Sequence, residues 1–374
     1  MSEDAVVLFA ERPLEGGGVL AEAVLNVPAT LNSLSLEMID LLQPALDGWR
    51  ARDDVKALLI KGAGGRAFCA GGDIQALYHA IKANHAAGEV VDTYPFEFFE
   101  REYRLDYALH TFPKPVIVLG HGVVMGGGLG ILSAASHRVL TERSRVAIPE
   151  ITIGLFPDAG TTWLLRQMPE HLAVFAGMTG SHLGAADAML CGVGTVLTDS
   201  SRLDALDEGL NSLALGGSND ANHQELTDYL AGFAAEQAGE AQLTAVPATL
   251  NVAGDLPAVV ASIEALQGTS EWVDRGVAAL RAGCPTSIGV VHEQIRRTQG
   301  DMTLADAFRM EMIVATHCAQ NPDFAEGVRA LLIDKDNAPA WRYPTVAELP
   351  DEYVQSHFEA PWPANPLEDL GRNA

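Results

Sequence analysis

The first 200 residues alternate short apolar runs with amphipathic segments. Residues 19–27, 55–60 and 114–119 are apolar runs as long as a buried strand. Residues 36–50 repeat apolar side chains at helical spacing behind Ser35, a residue type that caps helices. Glycine-rich turns follow the second and third runs. The repeat of strand, glycine turn and helix predicts an α/β architecture, in which ligands bind at the ends of strands.

After residue 200 the pattern changes. Residues 199–242 are acidic and rich in alanine, with helical spacing and few β-branched side chains. Helical spacing returns in two segments that begin at Ser287 and Leu304, and the tail from Pro339 has no clear period. The pattern predicts a peripheral helical segment followed by a helical C-terminal region.

The composition limits the kinds of partner. With 374 residues, of which 48% are hydrophobic, the chain can bury a large core. Its formal net charge of −25 opposes binding to nucleic acid and to anionic membrane surfaces. A small molecule is therefore the expected partner, and an anionic one would be bound by backbone N–H groups and helix N-termini.

The cysteines and the N-terminus indicate neither a metal site nor an export signal. Cys69, Cys191, Cys284 and Cys318 lie far apart without paired spacing, so we expect no disulfide framework and no metal. The first residues lack a basic region followed by a long apolar stretch, and no apolar segment reaches the length of a membrane span. We expect a cytoplasmic protein that does not bind membranes.

Two acids interrupt one apolar stretch, IPEITIGLFPDAG at residues 148–160. Glu150 and Asp158 each follow a proline there. A buried carboxylate without a partner is costly, so its presence in such a run suggests a chemical role. The alternative for each acid is structural, as a helix cap or one half of a buried salt bridge.

Two glycine clusters, CAGGDI at residues 69–74 and MGGGLG at residues 125–130, each follow an apolar run and precede a predicted helix. Such glycines expose backbone N–H groups, and two N–H groups that converge on one carbonyl oxygen form an oxyanion hole. The alternative is tight packing or a turn with positive φ. Asp73 fits the N-cap of the next helix, and His121 and Cys69 are interpreted as structural residues.

Four motifs in the same order resemble the crotonase superfamily, also called the enoyl-CoA hydratase/isomerase family: LNVPATLNSLSLEMI, AFCAGGDI, GHGVVMGGGLG and IPEITIGLFPDAG. The resemblance implies a spiral of ββα units that binds an acyl-CoA. It implies a thioester oxygen held between the N–H groups of Ala70 or Gly71 and of Gly127, with Gly72 and Gly126 beside the substrate. It divides the chain into an acyl-CoA-binding core (1–203), a peripheral helical segment (204–275) and a helical extension (276–374).

The branches of this family differ in the positions of their acidic residues. Enoyl-CoA hydratases carry one glutamate where this chain has Gly130 and a second that matches Glu150, and they have glycine where this chain has Asp158. This pattern, with CPTSIGVVHEQIRR and FAEGVRALLIDKDNAPAW further on, resembles the 3-hydroxyisobutyryl-CoA hydrolases of valine degradation. Glu102 matches a glutamate of their substrate pocket; the alternative for Glu102 is an exposed helix acid. Thr161 departs from the glycine that the family often has.

The resemblance implies hydrolysis of a short branched 3-hydroxyacyl-CoA, with no cofactor beyond the CoA of the substrate. Glu150 would be the nucleophile or the general base. Asp158 would bind the 3-hydroxyl group, orient water or protonate the leaving thiolate. The alternatives are an enoyl-CoA hydratase or isomerase that uses Glu150, and an acyl-CoA-binding protein without turnover. Because relatives form oligomers, the resemblance also allows a homo-oligomer.

Overall fold

The computed structural model describes residues 5–235, 239–298 and 300–372. By their contacts these residues form two compact units. Unit 1 contains the chain up to Gly72 together with Leu105–Val146 and Leu183–Ala241. Unit 2 contains Asp73–Arg104, Ala147–His182 and the chain from Gln242 onward. The predicted boundaries at residues 203 and 275 divide the chain by sequence rather than by contacts, and they stay predictions.

Ten strands are present among the described residues. They are β1 (Val7–Pro13), β2 (Val19–Leu25), β3 (Val55–Gly62), β4 (Ala67–Cys69), β5 (Val116–Gly120), β6 (Val123–Met125), β7 (His137–Thr141), β8 (Arg145–Ala147), β9 (His182–Leu183) and β10 (Val196–Thr198). The three predicted apolar runs form β2, β3 and β5, which confirms the strand predictions.

A six-stranded sheet in the order β1-β2-β3-β5-β7-β10 lies at the centre of unit 1. Strands β1 and β2 pair antiparallel, and every other neighbouring pair is parallel. Side chains on both faces are buried at the middle of the sheet, for example Leu58 and Leu59 in β3. Burial on both faces is typical of parallel strands and explains why these runs are continuously apolar.

Fifteen α-helices are present among the residues described. They are α1 (Leu36–Arg50), α2 (Ile74–Ala87), α3 (Tyr94–His110), α4 (Gly127–Ala134), α5 (Thr161–Gln167), α6 (Glu170–Thr179), α7 (Ala185–Leu190), α8 (Leu203–Gly209), α9 (Asn219–Ala231), α10 (Leu256–Glu264), α11 (Glu271–Ala282), α12 (Pro285–Arg297), α13 (Leu304–Gln320), α14 (Pro322–Val328) and α15 (Asp351–Ser356). Short 3₁₀ turns occur at Pro28–Thr30, Glu150–Thr152, Ser200–Arg202, Leu210–Ser212, Gln242–Ala245 and Val346–Glu348, and a π-helical turn at Arg329–Ile333.

The helices that the sequence predicts are present in the structure. Ser35 caps α1, because its hydroxyl oxygen accepts a hydrogen bond of 3.2 Å from the N–H of Met38. The acidic stretch after residue 200 forms α8 and α9, although residues 236–238 of that stretch lie outside the described residues. The segments that begin at Ser287 and Leu304 lie in α12 and α13.

The described part of the chain contains no helix both long and apolar enough to cross a membrane. Cys69, Cys191, Cys284 and Cys318 are all buried, and none of them forms a disulfide. No group of three His, Cys, Asp or Glu side chains is arranged to hold a metal ion in the three described stretches.

Candidate active site

The glycines of the two clusters lie side by side in unit 1. Strands β4 and β6 pair in parallel, and each runs directly into one of the clusters. Gly71 has a φ of +100°, a conformation open to glycine but not to most residues. A Cβ atom added to it would lie 3.4 Å from the carbonyl oxygen of Met125 and 3.7 Å from Cα of Gly126. The structure thus brings together the two segments that the sequence separates.

The N–H groups of these segments are not equally available. The N–H of Ala70 donates a hydrogen bond of 3.1 Å to the carbonyl oxygen of Leu31. The N–H groups of Gly71 and Gly72 have no acceptor among the described residues, and neither has that of Gly127, the first residue of α4. A helix leaves its first N–H groups unsatisfied, so Gly127 offers a donor that its own helix cannot use.

Gly128 allows α4 to pack directly against the end of β4. A Cβ atom on Gly128 would lie 2.3 Å from the carbonyl oxygen of Cys69 and 2.7 Å from its Cβ. We expect Gly128→Ala to lower the free energy of unfolding by about 1–3 kcal/mol, because backbone atoms must shift to admit the methyl group. Urea unfolding measures this loss. Gly48→Ala is the matched control, since Gly48 has no atom within 4 Å of such a Cβ. Equal effects in the two variants would contradict the packing argument.

The two acids of the apolar stretch are both buried in unit 2. Glu150 begins the 3₁₀ turn Glu150–Thr152 and is 4% exposed, and Asp158, in the loop before α5, is 5% exposed. Glu102, on α3, is 2% exposed, so its interpretation as an exposed helix acid is wrong. The sequence argument that the carboxyl groups of Glu150 and Asp158 are withdrawn from water is confirmed.

The surroundings of Glu150 and Asp158 differ. The hydroxyl of Tyr103 donates a hydrogen bond of 2.6 Å to Oδ2 of Asp158. Oε2 of Glu150 is buried and has no hydrogen-bond partner among the described residues. Burial, and then the charge of Asp158, raise the pKa of Glu150 well above its ordinary value. Burial also raises the pKa of Asp158 to about 6, although the hydrogen bond from Tyr103 acts in the opposite direction.

Two further buried acids belong to the same electrostatic group. The pKa of Glu102 is raised well above its ordinary value by burial, then by the charges of Asp158 and Glu311. Burial raises the pKa of Glu311 to about 8, against the effect of hydrogen bonds from Thr162 and Gly160. None of the four acids forms an ion pair with a lysine or arginine in the described stretches. Asp158 and Glu311, with pKa values of about 6 and about 8, titrate near neutral pH, which suits general acid–base chemistry.

Other residues that the sequence singled out have structural contacts. Asp73 caps α2, because its Oδ1 accepts a hydrogen bond of 3.2 Å from the N–H of Ala76. His121 bonds through Nε2 to the carbonyl oxygen of Gly64 at 2.8 Å. Gly130 is buried within α4, so the position where hydratases carry a glutamate offers no acid.

Sequence reasoning missed Tyr103 and Glu311. Tyr103 follows Glu102 directly on α3, and nothing in the pattern distinguishes its hydroxyl from that of any other tyrosine. Glu311 carried a usable signal, since it lies among apolar residues in the helical segment LADAFRMEMIVA. The argument that selected Glu150 from an apolar run applies equally to Glu311.

Known proteins match nearly the whole chain. A family described as enoyl-CoA hydratase/isomerase matches residues 20–358. The mitochondrial 3-hydroxyisobutyryl-CoA hydrolase of Gallus gallus is 34% identical over 348 residues, which cover 92% of this chain and 86% of that protein. The same enzyme of Mus musculus is 35% identical over 360 residues, 96% of this chain and 90% of that protein. The crystal structure of a carnitinyl-CoA dehydratase from Mycobacterium thermoresistibile has a TM-score of 0.82 at 29% identity and covers 96% of this chain and 98% of its own.

Proposed function

This chain belongs to the enoyl-CoA hydratase/isomerase family, and we propose that it hydrolyses the thioester of 3-hydroxyisobutyryl-CoA to CoA and the free acid. The family match and the structural neighbour confirm the predicted crotonase-like fold. The observation that carries the proposal is the pairing of Glu150 with Asp158. Both are buried in one unit, the charge of Asp158 raises the pKa of Glu150, and position 130 has no second glutamate.

In this proposal, backbone N–H groups stabilise the oxyanion that forms when the thioester carbonyl is attacked. Gly127 supplies one donor and Gly71 the other, because these N–H groups have no acceptor among the described residues, and Gly72 keeps its predicted place beside the substrate. Ala70, the other candidate from the motif, has its N–H committed to Leu31. Gly126, next to Gly127, keeps its predicted place beside the substrate. Removal of one such donor typically lowers the rate by about 10²- to 10³-fold.

Glu150 takes part in the bond-making step. As a nucleophile, its carboxylate attacks the thioester carbon, the C–S bond breaks, and water then opens the mixed anhydride. As a general base, it accepts a proton from the water that attacks the same carbon. Its Oε2, buried without a hydrogen-bond partner among the described residues, suits either role.

Asp158 acts on the other groups of the reaction. Its proposed roles are to bind the 3-hydroxyl group, to orient water or to protonate the leaving thiolate. With its pKa raised to about 6, it exchanges a proton in the neutral range, as protonation of the leaving thiolate requires. Glu102, buried on α3 and coupled to Asp158, is proposed to line the substrate pocket.

The proposal includes no cofactor, since hydrolysis of a thioester needs only water and acid–base groups. The acyl-CoA is the proposed partner, and its acyl group places the reaction in valine degradation. The curated relatives carry "mitochondrial" in their names, whereas the prediction for this chain is the cytoplasm. The cytoplasmic location and the possible homo-oligomer both stay predictions.

A second function has some support, since the structural neighbour is named a dehydratase. Addition or removal of water by the hydratase route uses two glutamates, and this chain has glycine at the first of the two positions. A hydratase or isomerase would therefore have to work with Glu150 alone.

The deciding experiment supplies the purified protein with 3-hydroxyisobutyryl-CoA and follows free thiol with a thiol-reactive dye. Crotonyl-CoA is run in parallel, with its enoyl absorbance recorded. We expect thiol release from the first substrate and no loss of the enoyl band from the second. Loss of the enoyl band without thiol release would overturn the hydrolase proposal in favour of a hydratase or isomerase, and turnover of neither substrate would favour a binding protein.

A further inference from the structure

Glu311 is a buried acid that the reaction proposed above does not use. It lies on α13 in unit 2 and is fully buried. Its Oε2 accepts a hydrogen bond of 2.9 Å from the N–H of Gly160, and its Oε1 accepts one of 3.1 Å from the N–H of Thr162. Both oxygens of one carboxyl group thus hold the backbone immediately after Asp158.

That stretch of backbone has an unusual conformation. Ala159 has a φ of +53° and Gly160 a φ of +81°, so two successive residues are left-handed. A left-handed alanine is strained and persists only where its surroundings fix it. The N–H of Thr161 donates to the carbonyl oxygen of Asp158 at 2.9 Å, which closes the turn. The place of the Asp158 side chain depends on this turn.

Two other groups hold the same region without charge. The hydroxyl of Tyr103 donates to Oδ2 of Asp158 at 2.6 Å. Nε2 of Gln294, on α12, donates to the carbonyl oxygen of Pro157 at 2.6 Å and to Oγ1 of Thr162 at 2.5 Å. An uncharged amide and a carboxyl group therefore both support the turn.

We propose that Glu311 is a positioning residue for Asp158: it holds the left-handed turn at Ala159–Gly160 through two backbone N–H groups and thereby fixes the place of the Asp158 side chain. This inference rests on the proposed function, in which Asp158 takes part in the hydrolysis.

The choice of a carboxyl group over an amide follows from the two hydrogen bonds. The N–H groups of Gly160 and Thr162 use different oxygens of Glu311, whereas glutamine has one acceptor oxygen and would turn its NH2 group toward the other N–H. The titratable groups that interact with Glu311 are Glu102 and Tyr103 from α3 and Asp158 from the loop before α5, all of them acidic or weakly acidic.

Asp158 and Glu311 lose their protons in order. Burial raises the pKa of Glu311 to about 8, and the charge of Asp158 adds to this rise against the hydrogen bonds from Thr162 and Gly160. Burial raises the pKa of Asp158 to only about 6, so Asp158 ionises while Glu311 still holds its proton. Removal of the Glu311 carboxyl group should therefore change the position of Asp158 and not the pH at which it titrates.

The effect on stability has a definite sign. An acid with a raised folded-state pKa makes the fold less stable as pH rises from its unfolded pKa to its folded one, because the folded state holds the proton longer. For Glu311 this window runs from 4.5 to about 8. A variant without this carboxyl group should not lose stability for this reason over that pH range.

The test compares Glu311→Gln with Gln294→Leu in the full chain. The second variant removes hydrogen bonds to the same turn but changes no charge. We expect both to lower kcat for thiol release by about 10- to 100-fold, as loss of a supporting contact typically does. Binding of free CoA should stay unchanged in both, because the turn holds Asp158 and not the CoA. An unchanged kcat in Glu311→Gln, or weaker CoA binding that accounts for the whole loss, would overturn the proposal.

A second measurement does not need substrate turnover. The stability of the wild type relative to Glu311→Gln, measured by urea unfolding, should fall between pH 4.5 and pH 8. If Glu311→Gln does not fold, the wild-type amide proton resonances of Gly160 and Thr162 should titrate together within that window. A flat difference in stability, or amides that do not titrate, would overturn the role of Glu311. A wild type that releases no thiol would overturn the proposed function alone.

Discussion

Glu150→Gln should abolish most thiol release from 3-hydroxyisobutyryl-CoA. Glutamine has the size of glutamate but neither attacks a thioester nor accepts a proton at neutral pH. Loss of a general base lowers kcat by about 10²- to 10⁴-fold. Loss of a nucleophile costs more, up to about 10⁶-fold. The size of the fall therefore distinguishes the two roles that the sequence and the geometry leave open for Glu150.

The measurement is the initial rate of thiol release at saturating substrate, with thermal unfolding as a check that the variant folds. Glu150 is buried with a raised pKa, so a neutral glutamine should not destabilise the fold at pH 7. Glu170→Gln is a matched control, because Glu170 makes the same exchange at an exposed position at the start of α6 in unit 2. A Glu150→Gln variant with the activity of this control would remove Glu150 from the chemistry.

Gly127→Pro should lower kcat by about 10²- to 10³-fold, the usual cost of one lost oxyanion donor. Proline has no N–H, yet it is well tolerated at the first position of a helix, which is the position of Gly127 in α4. The variant therefore removes one hydrogen-bond donor while the helix can still form. Steady-state kinetics of thiol release measure the effect.

Gly127→Ala is the control for this variant. It places a side chain at the same buried position but keeps the N–H group. Should the alanine and proline variants lose activity to the same extent, steric bulk explains the loss and the donor role of Gly127 fails. Retained activity in both would also remove Gly127 from the oxyanion hole.

Local sequence was sufficient to find the pieces of the site. The Ser35 cap, the glycine clusters and the burial of Glu150 depend on residue type and near neighbours, and each is present in the structure. Side chains in an apolar run are withdrawn from water whatever lies elsewhere in the chain, so this part of the prediction needed no tertiary information.

Contacts between distant segments were beyond that reasoning. The bond between Glu311 and the N–H of Gly160 joins residues 151 positions apart, and that between Tyr103 and Asp158 spans 55. Sequence alone makes Ala70 as suitable an oxyanion donor as Gly71, but in the structure the N–H of Ala70 donates to Leu31, in the first of the four motifs. Hydrogen-bond partners of this kind follow from the packing of elements, and no local pattern specifies them.

Because all four cysteines are buried, they can be used to measure how often the structure around them opens. A thiol shielded from solvent reacts with a modifying reagent only when the surrounding structure opens, so its labelling rate reports the frequency of that opening. Cys69 lies against Gly128 in unit 1, whereas Cys284 and Cys318 lie in unit 2. Mass spectrometry of the labelled peptides would therefore time the two units separately. In the assay that detects CoA with a thiol dye, the buried cysteines of the native protein should react slowly and add little to the signal.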